Sequence, residues 1–562
     1  MPQKIYDKTG LTLRIDTNLA GLCSVPNKKI VPQYQNMLAV PTTSRFSNAS
    51  SDLPSFATTV PLTQADFTNG TYRITSPGAY VLTEDIVFEP DDFTPSGDQY
   101  SGGAYHLGFF AAITIETSNV LINLNGFTLS QSKLHHLQQR FFALIELADQ
   151  PFLPSQGPSH FGDELDAASS VWIVNGILGK SSHHGIHGNN NRDIHIQNIC
   201  VEDFEVAGIA LNGCKDVTIE QCRIGPSSQN VPVSAAYSQA RFLLPILKQV
   251  TGTLPLRTGV TAADVLADLE TRMEATKTQV MAGEPVTDEM FALAGGLTDG
   301  AVVGIQIHSP GVAIKGFQKD WERGSQTNIV IKNCHIQGLN AKSVEVVAYN
   351  KLNPDPALSY ASKKVQSGIF GAVLRFERIM DADGTYKPDP LTDGLFAVWK
   401  HFGKGNIDDL VWQWAMKGAD FHTLYPVLAG DSMHHVMKGN IGIFLSGCKI
   451  FTVDNVTIEN MLNQGAMSAV HLPNAQFHSG MNMPKYNGNM CRGMMLATCF
   501  GGLVKNVSIK DLYCMQPPIG IETFGPTGNV VVENPTILMH RGVALLGQGI
   551  VQQGDKKAMH WQ

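Results

Sequence analysis

A membrane-spanning helix needs an apolar run of about 18–20 residues, and the sequence lacks any such run. Met1–Asn18 contains no apolar segment of the kind found in secretory signal peptides. No basic run is present, and the formal net charge is −8 at pH 7. These absences argue against a membrane span and against nucleic acid as a partner. We expect cytoplasmic synthesis, with virion assembly or surface association by another route left open.

Closely spaced cysteine pairs are also absent. The nine cysteines include no Cys-x-x-Cys arrangement, so the sequence predicts no metal site, and no cofactor is expected. Cys222 and Cys334 stand at a repeated position that we expect to point inward, where a free thiol behaves as a small apolar side chain. We therefore predict that most of the cysteines are reduced and buried.

A repeat of fixed period occupies Ser170–Gly225. Asn175, Asn198 and Gln221 stand at equivalent points, because 198 − 175 = 23 and 221 − 198 = 23. Later copies carry the amide at Asn333, Asn455, Asn506 and Asn534. A fixed period of this size indicates one small unit stacked on itself.

The residues around each amide alternate as in a strand with one buried face. Two positions before the amide the copies have Ile173, Ile196, Ile219, Ile331, Val453, Val504 and Val532. Three positions after it they have Leu178, Val201, Ile224, Ile336, Ile458, Ile509 and Ile537. The position just before the amide is mostly polar, with charges that tend to alternate in sign between copies. Strands this short cannot bury an apolar face alone, so the copies must stack.

The recurring amide fits a bend between strands. An amide both donates and accepts, so we expect each one to bond the backbone and the equivalent amides of the coils above and below. We also expect this column to be buried. On that interpretation the Asn-x-Ser/Thr matches at Asn455 and Asn506 are not glycosylation sites.

The 23-residue coil with its amide column resembles the right-handed parallel β-helix of the pectate-lyase-like superfamily. The segments SPGAYVLTEDIVFEP (Ser76–Pro90) and AITIETSNVLINLNGFTL (Ala112–Leu129) resemble the first coils of such proteins. The resemblance covers roughly Pro61–Leu129, Ser170–Gly225, Ala301–Tyr349 and Asn440–Leu538. It implies an all-β solenoid, a pectin-lyase-like parallel β-helix, with two mainly helical insertions here. It does not imply a reaction, since this fold carries lyases, hydrolases, epimerases and viral spikes without chemistry.

The remaining sequence divides the chain into segments. We predict an N-terminal arm or cap at 1–60, first coils at 61–225, a helical insertion at 226–300, middle coils at 301–380, a tryptophan-rich helical insertion at 381–439, last coils at 440–540 and a tail at 541–562. Between 131 and 169 we expect one more strand and a long proline-rich loop. Helical spacing follows Thr261, and a second short helix is expected near Thr287. The tail is expected to be loose or to pair with another subunit.

The densest polar stretch, Lys180–Arg192, is predicted to be a loop, and loops that leave a coil carry function in repeat folds. A uronate lyase needs a base for the C5 proton and a cation beside the carboxylate. His or Lys could serve as the base and Arg as the cation, so the candidates are His183, His184, His187 and Lys180 for the base and Arg192 for the cation. The simpler interpretation is a set of solvated turn histidines. A metal bound by these histidines matches no strong ligand motif.

A glycoside hydrolase needs two carboxylates at a set separation. The first candidates are Asp163 with Asp166 or Glu164, in the loop that precedes the histidines, although acidic residues in such a loop are usually only solvated. The polygalacturonase-like set N-T-D, D-D, G-H-G and R-I-K is not recognisable in order, and the R-x-P-x-x-R motif of calcium-dependent pectate lyases is absent. The resemblance therefore supplies no catalytic residue.

These observations leave three kinds of function open. We predict a protein that binds a polysaccharide in a groove along the coils and, if it is an enzyme, cleaves it as a uronate lyase or a glycoside hydrolase. The alternative is a non-catalytic structural or adhesive protein, such as a viral spike, fibre or minor capsid component, for which a homotrimer or other self-assembly is expected. A non-catalytic glycan-binding module is the third.

Overall fold

The computed structural model describes residues 5–6, 12–13, 53–89, 110–139, 142–147, 168–228, 237, 255–257, 260–284, 302–308, 326–341, 440–463, 491–514, 517–524, 527–539, 542–547, 550–553 and 559–561. The chain divides into two compact units, Met1–Ser51 and Asp52–Gln562. In the first unit, the short strands at Ile5–Tyr6 and Thr12–Leu13 pair antiparallel. The second unit contains the repeat.

The described elements are mostly strands. In chain order they are β1 Ile5–Tyr6, β2 Thr12–Leu13, β3 Thr59–Leu62, β4 Tyr72–Ile74, β5 Gly78–Leu82, β6 Ile86–Phe88, β7 Phe110–Ile115, β8 Val120–Asn123, β9 Thr128–Gln131, β10 Phe142–Leu147, β11 Ser169–Leu178, β12 His184–Asn189, β13 Arg192–Val201, β14 Ala207–Asn212, β15 Lys215–Glu220, β16 Arg223–Ile224, β17 Pro255–Arg257 and β18 Val260–Thr261. They continue with β19 Val302–His308, β20 Gln326–Lys332, β21 His335–Gln337, β22 Asn340–Ala341, β23 Asn440–Ser446, β24 Cys448–Asp454, β25 Thr457–Asn463, β26 Cys491–Ala497, β27 Phe500–Lys505, β28 Ser508–Tyr513, β29 Ile519–Phe524, β30 Val530–Glu533, β31 Thr536–Met539, β32 Val543–Leu546, β33 Ile550–Gln553 and β34 Met559–Trp561. The helices are α1 Lys133–Gln138 and α2 Ala262–Ala282, with a 3₁₀ turn at Gln64–Phe67.

Parallel strands form two large sheets. The first has ten strands, in the order β32-β29-β26-β23-β19-β14-β12-β10-β7-β4. The second consists of two rows, one running through β11, β13, β15, β20 and β24 and the other through β16, β21, β25, β28 and β31; the long strands β11 and β13 contribute to both. The chain repeatedly visits the ten-stranded sheet, the first row and the second row in turn. This connectivity is consistent with a parallel β-helix.

The predicted stacking of aliphatic residues is confirmed by the strand register. Ile196 pairs with Ile219, which pairs with Ile331, although the last two lie 112 positions apart (331 − 219). All three are fully buried in one core that runs through the coils. The second predicted column also pairs in register, from Leu178 through Ile537. The residues just after the amide, such as Cys222, are buried as expected.

The amide residues occupy the predicted bend, but their column is not buried. All seven have φ between 48° and 60°, the left-handed region that Asn tolerates better than most residues. Stacking bonds occur from Asn198 Nδ2 to Asn175 Oδ1 at 2.9 Å and from Asn455 Nδ2 to Asn333 Oδ1 at 2.8 Å. Asn175 is buried, whereas Asn455 and Asn506 are exposed because the bend turns their side chains outward. The burial argument against glycosylation at these two positions is therefore wrong.

Charges in the neighbouring column alternate between coils as predicted. Glu220, Lys332, Asp454 and Lys505 follow one another in register. Lys332 Nζ lies 3.0 Å from Glu220 Oε2, and Lys505 Nζ lies 3.1 Å from Asp454 Oδ2. Pairs this exposed contribute little to stability, and their main effect is to disfavour misregistered stacking.

Several elements differ from the sequence-based expectations. α1 is an unpredicted helix after β9, whereas β10 supplies the strand expected between 131 and 169. α2 occupies part of the first insertion, where helical spacing follows Thr261. β33 and β34 pair with β30 and β31, so the coil continues past 540 into the segment predicted as a tail, because Ile550 and Met559 extend the stacked columns. The helix near Thr287 and the segment 381–439 lie outside the described residues.

A column of glycines in the ten-stranded sheet faces one of the buried aliphatic columns. Its six members lie on six successive strands of the ten-stranded sheet: Gly185, Gly208, Gly304, Gly442, Gly493 and Gly520. A Cβ at any of them would lie only 2.4–2.8 Å from a methyl carbon of the buried column that runs from Val201 to Ile537. The two sheets therefore approach each other closely here, and a side chain would force them apart.

We predict that Gly442→Ala lowers the free energy of unfolding by about 1–3 kcal/mol, the usual effect of overpacking. Its Cβ would lie 2.5 Å from the carbonyl oxygen of Gly493 and 2.6 Å from Ile458 Cγ2. Gly528→Ala is the matched control, because its Cβ would meet only Phe500 ring atoms at 3.6 Å. Denaturant unfolding of both variants checks this; equal stability of the two would contradict the packing described.

Candidate functional site

The outer face of the ten-stranded sheet, which points away from the main core, carries polar residues at its N-terminal end. Ile145, Ile186 and Ile209 pair in register and belong to the main core. Their neighbours along the strands, Glu146 and His187, point to the opposite side because side chains alternate in a strand. Further along this face most of the corresponding positions are apolar, with Gln306, Arg492 and Glu522 as polar exceptions. The apolar ones form a separate buried cluster: Ala207, Ala210, Val303, Ile441, Phe444, Met495 and Ala497.

His187 is held by a carboxylate from the preceding coil. Its Nδ1 lies 2.6 Å from Glu146 Oε2, and the two side chains are each 1 % exposed. A carboxylate that accepts the Nδ1 proton leaves Nε2 as the basic atom of a neutral imidazole. His187 Nε2 lies 3.2 Å from Asn212 Nδ2, whose N–H is directed to it from the next coil. Three successive coils thus contribute one side chain each.

His184 and His183 extend this group. The rings of His184 and His187 are stacked, with centroids 5.0 Å apart and an angle of 6° between their planes. The His183 ring meets that of His184 edge-on at 4.2 Å. The prediction of a loop across Lys180–Arg192 is wrong for His184–Asn189, which form β12 and are buried. Backbone pairing with β10 and β14 on both sides overrides the polar sequence.

Asn189 has an unused donor in the same group. It lies two positions after His187 on the same face and is fully buried. Its Oδ1 accepts from Asn212 Nδ2 at 3.0 Å. Its Nδ2 has no hydrogen-bond partner within the part of the chain that the structure describes. Buried donors are normally satisfied, so this one is available to a bound group. We call His184, His187, Glu146, Asn189 and Asn212 the His187 cluster.

A second buried network fixes the start of β12. Ser181 Oγ donates to the carbonyl of His184 at 2.6 Å. The Ser182 backbone N–H donates to Gln131 Oε1 at 2.8 Å, and Ser182 Oγ donates to the carbonyl of Gln139 at the end of α1. His136 Nε2, on α1, lies 3.0 Å from Glu205 Oε1. Glu205 belongs to the coil that follows the one containing Ser181. α1 is thereby tied to the two coils beside the His187 cluster.

The predicted site residues Arg192 and Lys180 lie elsewhere, and so does the nearby His195. Arg192 begins β13 on the other sheet, beyond the turn at Asn190, and is exposed. Lys180 pairs with Asp203 at another corner of the coil. His195 stacks on Trp172, with ring centroids 5.0 Å apart, and bonds Asp193 Oδ1 at 2.8 Å. Arg192, Lys180 and His195 thus occupy other parts of the coil than the His187 cluster.

The predicted carboxylates Asp163, Glu164 and Asp166 lie outside the described residues, so the hydrolase pair stays a prediction. Within the described ranges, no group of three or more His, Cys, Asp or Glu side chains is arranged to hold a metal ion. No helix in the same ranges is long and apolar enough to cross a membrane.

Sequence reasoning missed Glu146, Asn189 and Asn212. Asn189 and Asn212 are 23 positions apart and in register, so the repeat itself could have paired them. Glu146 lies 41 positions before His187, because the segment before β11 interrupts the period. At the other end of the same outer face, Arg492 and Glu522 form a buried ion pair that was also not foreseen.

His308 extends the outer face one coil beyond Asn212, with which it pairs in register. Its ring meets that of Phe444 edge-on, with centroids 5.6 Å apart. Desolvation beside this ring disfavours the charged imidazole, although the residue as a whole is only half-buried, and lowers the pKa of His308 to about 4. Nδ1 of His308 has no hydrogen-bond partner among the described residues. This imidazole is therefore neutral near pH 7.

No protein-family model matches the sequence, and no curated protein matches it. A solved structure of an alginate lyase from Paenibacillus sp. str. FPU-7 is 9% identical over 88% of this chain and 98% of its own, with a TM-score of 0.29. The catalytic unit of a thermostable GH87 alpha-1,3-glucanase from Streptomyces thermodiastaticus strain HF3-3 is 9% identical over 89% of this chain and 63% of its own, with a TM-score of 0.22. At these scores neither similarity carries an argument about this chain.

We predict a pH dependence of stability that arises from His308. The folded-state pKa of about 4 lies below the unfolded value near 6.5, so the unfolded chain binds more protons between these pH values. The free energy of unfolding therefore falls as the pH falls through this window, by about 1–2 kcal/mol from pH 7 to pH 5. Urea unfolding at both pH values measures the loss. His308→Gln should remove this part of it, and His195→Gln should not; the same loss in His308→Gln as in the wild type would contradict the assignment.

Proposed function

We propose that this chain binds an acidic polysaccharide on the outer face of the ten-stranded sheet and cleaves it by β-elimination at the His187 cluster. The observation that supports this most is the combination of an imidazole oriented by a buried carboxylate with an unused amide donor beside it. Burying ionisable groups is costly, so a buried carboxylate–imidazole pair that the core does not require is a candidate functional site. We further propose that the coil is right-handed and of the pectate-lyase-like type.

The roles follow from the chemistry of a uronate. His187 Nε2 takes the proton from C5, the electron pair forms the C4–C5 double bond, and the bond between C4 and the glycosidic oxygen breaks. The leaving oxygen takes a proton from water. The unused N–H of Asn189 donates to the sugar carboxylate, on which negative charge develops. Glu146 keeps the imidazole in the required tautomer and stabilises it once protonated. Because His187 is buried, the outer face has to open to admit the sugar.

A panel of alginate, pectate and other uronate polymers tests the function. Wild-type protein should release products with the ultraviolet absorbance of an unsaturated sugar. His187→Gln removes the base and Glu146→Gln its orientation, so each should lower the rate about 100-fold or more. His195→Gln is the matched control, since this imidazole also pairs with an aspartate but lies on the other sheet.

Thermal unfolding of each variant separates loss of chemistry from loss of folding. New reducing ends without ultraviolet absorbance would show that the chain cleaves by hydrolysis and not by β-elimination. The absence of both cleavage and binding across the panel would contradict the proposal and favour a structural or adhesive role, for which the mass of the assembly in solution is the next measurement.

A further inference from the structure

Two cysteine thiols that are not in a disulfide meet at one corner of the last coils. The backbone N–H of Cys491 donates to Cys514 Sγ at 3.2 Å. Cys491 Sγ in turn contacts the carbonyl of Tyr513, the residue before Cys514, at 3.2 Å. Cys491 begins β26, and Cys514 follows β28, one full coil of 23 residues later (514 − 491). The two sulfurs therefore belong to successive passages of the chain through the same corner.

Accessibility distinguishes this pair from the other cysteine neighbours. Cys222 adjoins Cys334, and Cys448 adjoins Cys499, by the register of the strands around them. All four of these thiols are buried, as is Cys491. Among the described cysteines, Cys514 alone is partly exposed. A solute in water can therefore reach a sulfur of this pair without unfolding the coil, which it cannot do for the other two.

The order of reaction follows from the surroundings of the two sulfurs. Burial, together with the hydrogen bond to the Cys514 thiol, raises the pKa of Cys491 well above that of an ordinary cysteine. Cys491 is therefore a thiol at neutral pH and a poor first nucleophile. Cys514 is the residue that meets an oxidant first, and Cys491 is placed to attack it afterwards.

We propose that Cys491 and Cys514 form a reversible disulfide when the protein meets a two-electron oxidant such as hydrogen peroxide. The Cys514 sulfur attacks a peroxide oxygen, the O–O bond breaks, and one water leaves as Cys514 becomes a sulfenic acid. The Cys491 sulfur then displaces the hydroxyl group, the S–S bond forms, and a second water leaves. Two thiols are oxidised and one peroxide is reduced to two waters.

The bond would lock two coils together beside a buried ion pair. Cys491 immediately precedes Arg492, whose guanidinium pairs with Glu522 of the following coil. A disulfide at this corner would add a covalent link between the same two coils. This modification is independent of the polysaccharide chemistry proposed above, because it lies at the opposite end of the ten-stranded sheet from the His187 cluster.

Peptide mapping of the full chain tests the proposal. The folded protein is treated with hydrogen peroxide, remaining thiols are alkylated, and the chain is digested with trypsin without reductant. Cleavage after Arg492 and Lys510 places Cys491 and Cys514 on different peptides. We expect these two peptides to be joined with the loss of two hydrogen atoms and to separate on reduction. Cys222 and Cys334, also on different peptides, should stay unjoined.

Two variants make the outcome decisive. Cys491→Ala keeps the exposed sulfur but removes its partner, so the Cys514 sulfenic acid should persist and be trapped by dimedone. Cys334→Ser is the matched control and should cross-link as the wild type does. Absence of the joined peptides in the wild type, absence of dimedone labelling in Cys491→Ala, or joining of Cys222 to Cys334 at the same rate would each overturn the proposal.

Discussion

The structure depends on the in-register hydrogen bonding of each strand to the equivalent strand of the next coil. Parallel pairing at a fixed spacing places every side chain over its counterpart, so a column has to be compatible with itself. Aliphatic residues satisfy this condition inside the coil, and alternating charges or amides satisfy it outside. The column from Gly185 to Gly520 satisfies it in another way, since the absence of side chains lets the ten-stranded sheet approach the facing column.

The same stacking assembles the candidate site. Glu146, His187 and Asn212 come from three coils and are brought within hydrogen-bond distance because their strands pair side by side. No single loop could supply this arrangement. The site therefore depends on the correct register of β10, β12 and β14, and the network around α1 holds the start of β12 in place. Function and folding would be affected together by any change that shifts this register.

Much of the fold could be predicted from the sequence, because the 23-residue period fixes which residues share a column. The aliphatic columns and the bend at the amide followed directly. The exposure of the amide did not follow, because the period places Asn455 and Asn506 in one column but does not specify on which side of the coil that column lies. The glycine column was missed although Gly185, Gly208 and Gly304 each precede an isoleucine.

The candidate site was only partly predictable. Histidine-rich sequence at Lys180–Arg192 suggested a polar loop, whereas pairing on both sides makes His184 and His187 part of a buried strand. Their partner Glu146 lies before an interruption of the period, so counting residues could not align it. Arg192 is close to His187 in sequence, but the turn at Asn190 moves it to another sheet. Local composition thus identified the stretch that carries His184 and His187, but it did not identify Glu146 as their partner and wrongly added Arg192.

Cross-linking between coils tests the register most directly. Glu220 and Lys332 lie on adjacent strands, where a separation of about 4.8 Å suits a disulfide. Asp454 lies one strand further on, about 9.6 Å from Glu220 and out of reach. With the wild-type cysteines as background, Glu220→Cys/Lys332→Cys should form a disulfide under mild oxidation, and Glu220→Cys/Asp454→Cys should not. Failure of the first pair to cross-link, or equal cross-linking of the second, would contradict the stacked coil.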